Sequence, residues 1–300
     1  MSNVKYDIVC AGEVMVEFSS LDNHQWQQGF GGDTFNTAVY LGRAGLNCAY
    51  MTRLGDDLFS IQVASIIAAE GLGTDHLEHI KNRQMGLYTI TNRLDGERSF
   101  DYWRGLSPAR ELFAAHLTPP NCRYFYLSGI TLAIVADQGI EHLVTCLTAL
   151  RARGTLIVFD PNYRPKLWTS VAEARQAYSQ ILPLCQIVMP ALEDDIALWE
   201  ISTLEESMAL YQPFDLEELI IKAPDLSCHV VINDSHLTGT AIRVKATDTT
   251  GAGDSFNAGY LAARVQGENI PQAIQAAQQL AAQVVQHRGA IMPRQLYPGT

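Results

Sequence analysis

Apolar and β-branched residues fall into short runs along the chain, and "KYDIVCAG", "NCAYMTRLG", "YFYLSG", "TLIVFD", "QIVMP", "ELIIKA" and "HVVIN" read as strands. Between many of them the apolar spacing lengthens to three and four, the helical period. "TFNTAVYLGRAG", "LFSIQVASIIAAEG" and "DQGIEHLVTCLTALRARG" follow it, the last with Ile140, Leu143, Val144, Leu147 and Leu150 on one stripe and Gly154 to close it. The Ala/Gln-rich stretch from Pro271 to His287 predicts a helix with small residues on its packed face. Strand alternating with helix implies an α/β fold, with a mostly parallel sheet covered on both faces.

Two segments break that rhythm, residues 13–31 and residues 86–104. In "GLYTITNRLDGERSFDYWR" two strand-like runs flank a turn at Asp95-Gly96, a hairpin signature inside an α/β chain. Such a hairpin packs outside the parallel sheet, either as a lid over a cleft or as a surface ornament. The 300 residues predict one large core with a small appendage.

A formal net charge of −11 without a block of Lys and Arg argues against nucleic acid as a partner. With 47% hydrophobic and 18% charged residues and no apolar run near the ~18 residues a membrane span needs, no membrane association is expected. "YDIVCAGEVMVEF" is interrupted by Asp7, Gly12 and Glu13 and reads as a first core strand, not a signal peptide. The six cysteines, at 10, 48, 122, 146, 185 and 228, show no metal-type spacing and predict buried thiols in a reducing cytoplasm.

The chemistry is concentrated in "DTTGAGDSFNAGYLAARV", Asp248 to Val265. Gly251, Ala252 and Gly253 let backbone N–H groups approach a ligand, and a helix beginning near Asp254 adds its positive end, so the turn suits an anion. An ordinary capped helix after a loop fits the same residues. If the anion is a phosphoryl group in transfer, Asp254 accepts the proton of the attacking hydroxyl while the N–H groups hold the developing charge. The helix start is expected to depress the pKa of that carboxyl. No GxxxxGK[ST] occurs, and no GxGxxG follows the first strand, which excludes a Walker-type loop and a Rossmann dehydrogenase.

This stretch, with "GFGGDTFNTAVYLGRAG" from Gly29 to Gly45, resembles the two signature regions of the ribokinase-like (PfkB) family of sugar kinases, and the resemblance runs essentially from end to end. It implies a three-layer α/β sandwich forming one kinase domain over 1–300, with a β-sheet lid contributed by about 13–31 and 86–104. It further implies Asp254 as catalytic base, Gly251, Ala252 and Gly253 as the anion hole, and Gly32, Asp33 and Asn36 in the sugar site. ATP and Mg2+ are the implied cofactors, with Asn162, Lys222, Thr250 and Gly253 on the nucleotide side and a homodimer formed through the lid. In the residues' own terms, Gly31-Gly32 permits close backbone approach, and Asp33 and Asn36 supply hydroxyl-binding groups at a helix start. Taken alone, Asp33 reads equally as a helix cap.

"FDYWRG" and "FDPNYRPKLW" place Arg104 and Arg164 near a cleft, the second at the carboxyl end of a strand. Two converging arginines suit a carboxylate better than a neutral sugar, although each could pair instead with a local acid such as Asp101 or Asp160. Within the family, "GEVMVEF", "GLYTI", "YWR", "YLSGITLAI", "NYRPKLW" and "HRGAIMPR" look most like the branch acting on a sugar acid, which implies Tyr88, Tyr102, Arg104 and Arg164 in its site. "DPNYRPKLW" is shared with fructokinases, so a fructokinase is the alternative. A non-catalytic sugar-binding sensor is a third reading, opposed by Asp254, since binding needs no base.

Two stretches depart from the family pattern. "IIKAPDLSCHVVIN" keeps Lys222 but has Ala223, Pro224, Asp225 and Ser227 around the positions where a Lys-x-Gly-x-x-Gly loop is expected, and Pro224 excludes a flexible glycine turn. In "PALEDD", Glu193 and Asp194 are candidates for water-mediated Mg2+ contact or simply a solvated helix start.

Overall fold

The structure, a computed structural model, describes residues 4–21, 25–92, 98–115, 117–233, 235–241 and 243–297. Its strands are β1 (Tyr6–Ala11), β2 (Met15–Ser20), β3 (Trp26–Gly31), β4 (Cys48–Leu54), β5 (Leu77–His79), β6 (Leu87–Asn92) and β7 (Arg98–Trp103), followed by β8 (Cys122–Ser128), β9 (Leu156–Asp160), β10 (Ile187–Val188), β11 (Glu218–Lys222), β12 (Ser227–Ile232) and β13 (Ser235–Thr240). The helices are α1 (Asp33–Arg43), α2 (Leu58–Ala69), α3 (Gly129–Ala152), α4 (Val171–Ile181), α5 (Leu192–Trp199), α6 (Leu204–Tyr211), α7 (Ala252–Val265) and α8 (Ile270–Val284).

Nine strands form the main sheet in the order β13-β12-β11-β10-β9-β8-β1-β4-β5, parallel from β11 to β5 and antiparallel through β11-β12-β13. Alternation within each strand feeds both faces. Ile8 and Cys10 of β1 and Ile220 of β11 join Val39, Val63, Leu261 and Ile274 under α1, α2, α7 and α8. Val9, Ala11, Leu219 and Ile221 join Leu132, Leu147, Tyr178 and Leu198 under α3, α4 and α5 on the other side. Both faces are therefore dry, which is why the strand runs read as nearly continuous apolar stretches.

From β1 the chain proceeds through α1 to β4 on one side, whereas β8, β9 and β10 build outward on the other. The strand order reverses between β1 and β8, and the crevice beyond their carboxyl ends is where an open α/β sheet binds its ligand. A second sheet of four strands, β3-β2-β6-β7, stands over this end, with β2 and β6 parallel and the outer pairs antiparallel. Phe18 on β2 meets Phe59 on α2 edge to face at 6.2 Å, fastening the small sheet to the main body. The two rhythm-breaking segments thus combine into one lid; the expected turn at Asp95-Gly96 lies outside the described residues.

Helix α3 and strands β13 and β5 differ from expectation. Helix α3 begins at Gly129, eight residues before Asp137, because Ser128 accepts the Thr131 N–H at 3.2 Å and caps the helix directly after β8. Strand β13, "SHLTGT", is polar and partly exposed at the sheet edge, and β5 has three residues; neither carries an apolar run. The β11–β12 connection is a tight turn in which Leu226 N–H donates to Ala223 O at 3.0 Å, with Pro224 inside it and Leu226 at φ 71°. Proline and a left-handed leucine take the places a looser glycine loop would use.

Candidate active site

Helices α1 and α7 pack together with their N-termini at the crevice. Gly32 caps α1, and a Cβ there would come within 2.2 Å of Glu13 O, so only glycine lets the β3–α1 junction pass the β1–β2 connection. Gly251 caps α7 at φ 76°, and a Cβ would come within 2.7 Å of Ala290 O. Asp248 stabilises this turn by accepting from Thr250 N–H at 2.9 Å and Gly289 N–H at 2.7 Å. Ala252 N–H donates to Thr249 O and Ser255 N–H to Gly251 O, whereas the N–H groups of Gly251, Gly253 and Asp254 have no acceptor among the described residues. The helix starts at Ala252, two residues earlier than expected, so Asp254 lies in its first turn.

Asn36 Nδ2 donates to Asp254 Oδ2 at 2.8 Å, and Thr37 Oγ1 donates to Asp254 O at 3.3 Å, tying the two signature stretches together across 218 residues of sequence. Asp254 does not have the depressed pKa expected at a helix start. Burial raises it, the Asp33 charge raises it further, and Asn36 opposes them only in part. Asp33 is also raised, chiefly by burial, and its Oδ2 accepts from Asn162 Nδ2 at 2.8 Å. A desolvated carboxylate of raised pKa is a better proton acceptor than a dipole-stabilised one.

Behind these groups lies a buried polar network. Asp160, at the end of β9, accepts from Asn257 Nδ2 at 2.7 Å, and Lys222 Nζ stands 3.5 Å from the same carboxylate while donating to Asn257 Oδ1 at 2.9 Å. Asn257 also donates to Tyr126 OH at 3.0 Å. Lys222 and Asn162, expected on the nucleotide side, have their polar groups turned into the protein, one on Asp160 and Asn257, the other on Asp33.

The lid supplies the aromatic wall. Tyr88 on β6 faces Tyr102 on β7 with ring centroids 5.8 Å apart, and Tyr88 OH hydrogen-bonds Glu17 on β2. Arg104 stacks over Tyr102 with its guanidinium 5.7 Å from the ring centroid, and it pairs with Glu13 in a buried contact that leaves Arg104 Nε and Glu13 Oε1 without partners among the described residues. Burial raises the Tyr102 phenol, while Arg104 and Arg164 both pull it down. Burial disfavours the charge on Arg164, but Asp194, Asp160, Asp33 and Asp254 outweigh it. Both arginines pair with acids, as the alternative reading had it, although the partners are not Asp101 and Asp160: Arg104 pairs with Glu13, and Arg164 Nη1 lies 3.1 Å from Asp194 Oδ1.

Glu193 and Asp194 open α5 without a side-chain cap, and Asp194 is engaged by Arg164. Among the described residues there is no cluster of three or more His, Cys, Asp or Glu that could hold a metal ion. A concavity of about 760 Å³ lined by Asp57, Arg83, Gly105 and Glu111 lies at the lid's attachment and includes none of the site residues. Sequence reasoning missed Glu13, Glu17, Asp160 and Asn257. The signal for the first two was two acidic residues inside the apolar stretch "GEVMVEF".

Asp195, next to this helix start, is fully buried and accepts from Ser207 Oγ at 2.6 Å and Tyr211 OH at 2.7 Å. Burial pushes its carboxyl up to about 7 against those hydrogen bonds. The folded state therefore holds this proton more tightly than the unfolded chain, so the stabilisation is present at low pH and is lost as pH rises toward 7. Asp195→Asn, which has no charge to desolvate, should melt progressively higher relative to wild type between about pH 4 and about pH 7. Calorimetry measures the difference; one that does not change with pH contradicts the assignment.

A lid over a strand-order reversal, with a glycine-turn helix presenting a carboxylate to it, defines the class as ribokinase-like carbohydrate kinases. The chain belongs to the pfkB family of carbohydrate kinases, whose profile matches residues 5–295. It is 38% identical over 305 aligned positions to the 2-dehydro-3-deoxygluconokinase of Escherichia coli (strain K12), covering 97% of this chain and 98% of that protein. It is 29% identical over 278 positions to Fructokinase-2 of Solanum habrochaites, covering 88% and 83% respectively. An Escherichia coli protein assigned as a ribokinase II, solved with ATP and Mg2+, shares the fold with a TM-score of 0.85 at 23% identity, over 95% of this chain and 94% of that one.

Proposed function

We propose that the protein transfers the γ-phosphoryl group of ATP to the terminal hydroxyl of 2-keto-3-deoxygluconate, the 2-dehydro-3-deoxygluconate of the relative's name, giving 2-keto-3-deoxy-6-phosphogluconate and ADP. The observation that carries this reading is the 38% identity, over nearly the whole of both chains, with a 2-dehydro-3-deoxygluconokinase, and Arg104 over the Tyr102 ring places a cation at the lid. A sugar acid supplies an anion that Arg104 and Arg164 can bind beside their protein partners Glu13 and Asp194, whereas a neutral sugar supplies none.

In this account the substrate carboxylate lies between the arginines, with Tyr88 and Tyr102 against the carbon chain and Gly32, Asp33 and Asn36 along the hydroxyls. Asp254 accepts the proton from the terminal hydroxyl as its oxygen bonds to the γ-phosphorus and the bond to the ADP oxygen breaks. The N–H groups of Gly251, Gly253 and Asp254, without acceptors among the described residues, suit the negative phosphoryl oxygens, and Thr250 flanks the same turn. The lid keeps water from the transferring group. Mg2+, when bound with ATP, neutralises phosphate charge, and the carboxylate-rich cleft with Glu193 and Asp194 at its rim fits water-mediated contact to it. Lys222, hydrogen-bonded to Asn257 and ion-paired with Asp160, serves this side by fixing both.

The six cysteines are free and buried, which suits a reducing cytoplasm. Trp26 and Trp103 are 48% and 60% exposed on the two edge strands of the lid, which supports a homodimer through that sheet. Phosphorus NMR of the product tests the reaction: a new monoester split by two methylene protons is expected. Phosphorylation of a secondary hydroxyl, or no ester at all, contradicts the reading.

A further inference from the structure

The hairpin β12–β13, at the edge of the main sheet, carries a second cluster of side chains with its own chemistry. Ser227 Oγ lies 2.6 Å from Asp225 Oδ1 and 2.8 Å from His229 Nε2. Asp225 is exposed and its carboxyl is held below the usual range, chiefly by the Ser227 hydroxyl, so it is an acceptor only. Ser227 has one proton, which goes to Asp225; His229 Nε2 must then be the N–H that donates to Ser227 Oγ. In neutral His229 this leaves the lone pair on Nδ1.

That nitrogen faces the neighbouring strand. His229 Nδ1 is 3.2 Å from His236 Nε2 and 3.3 Å from Thr238 Oγ1. The strand register places Thr238 directly opposite His229 and His236 one step diagonal to it on the same face. Two nitrogens each about 2.0–2.1 Å from one tetrahedral ion stand about 3.3 Å apart, the separation the two rings already have. A ligating histidine ordinarily donates its other ring N–H to a fixed acceptor, and Ser227, itself held by Asp225, is such an acceptor for His229.

We propose that His229 Nδ1 and His236 Nε2 form a two-histidine chelate for a divalent first-row transition ion such as Zn2+ or Cu2+. Water, with Thr238 Oγ1 beside it, completes the coordination. Two protein ligands at an exposed edge make an open, exchangeable site, distinct from the closed four-ligand sites that hold structural zinc. Imidazole nitrogen selects ions of this kind over Mg2+, so the site is chemically separate from any Mg2+ that accompanies a nucleotide.

Competition of the purified protein with a chromophoric chelator for Zn2+ tests this. Wild type should take up one ion per chain, with the imidazole NMR signals of His229 and His236 shifting together. His236→Ala, at an exposed edge position, should lose at least about 10-fold in affinity, and Ser227→Ala, which frees the ring tautomer, about 10-fold. Wild type that binds no Zn2+, or His236→Ala that binds it as tightly, overturns the proposal.

Discussion

Asp254→Asn should retain the fold and sugar binding and lose about 10²-fold or more in kcat, the contribution of a positioned base. Asparagine keeps the shape of the side chain and an oxygen for the Asn36 amide, which donates to Asp254 at 2.8 Å. It also removes a buried carboxyl whose charged form the Asp33 carboxylate repels. Thermal stability should therefore be equal to or above that of wild type, and isothermal titration with the sugar should give a comparable dissociation constant. Steady-state kinetics beside those two measurements separates a lost base from a lost fold. Turnover near that of wild type in an intact variant contradicts the assignment.

The second large effect is expected at Arg164. Arg104 is a poor place to test substrate recognition, because removing it strands Glu13 as a buried unpaired charge, a defect that costs about 3–5 kcal/mol by itself. Arg164 is 50% exposed and pairs with Asp194 at the rim, so the protein can lose it without unfolding. A charge-assisted hydrogen bond to the substrate carboxylate contributes about 1.5–3 kcal/mol, which predicts a loss of roughly 10 to 150-fold in kcat/KM for 2-keto-3-deoxygluconate in Arg164→Ala. The loss for a neutral sugar should be much smaller. Equal losses on both substrates would mean that Arg164 only fastens Asp194.

The sequence was legible where a single segment dictates its own structure. Burial on both faces made β1, β4, β8, β9 and β11 readable as nearly continuous apolar runs, and the glycine turn before Asp254 could be read because left-handed backbone and close approach to Ala290 leave little choice of residue. It was illegible where the partner is distant. Glu13 and Arg104 are 91 residues apart and meet only when the lid folds back over the β1 end. Lys222, expected at the nucleotide, ends β11, and its inward turn depends on Asn257, 35 residues later. The pKa of Asp254 went the opposite way from expectation because a helix start is a local property, whereas the burial and the Asp33 charge that outweigh it come from packing α1 against α7. Strand β13 escaped notice because an edge strand has one face in water and needs no apolar run.

The central claim is a sugar acid as acceptor, and ATP-dependent turnover of 2-keto-3-deoxygluconate, fructose and ribose by one wild-type preparation tests it most directly. Two arginine contacts to a carboxylate predict a kcat/KM for the sugar acid at least about 10²-fold above that for either neutral sugar. Fructose phosphorylated at least as efficiently as the sugar acid would contradict the account and make the protein a fructokinase working with the same base and the same glycine turn.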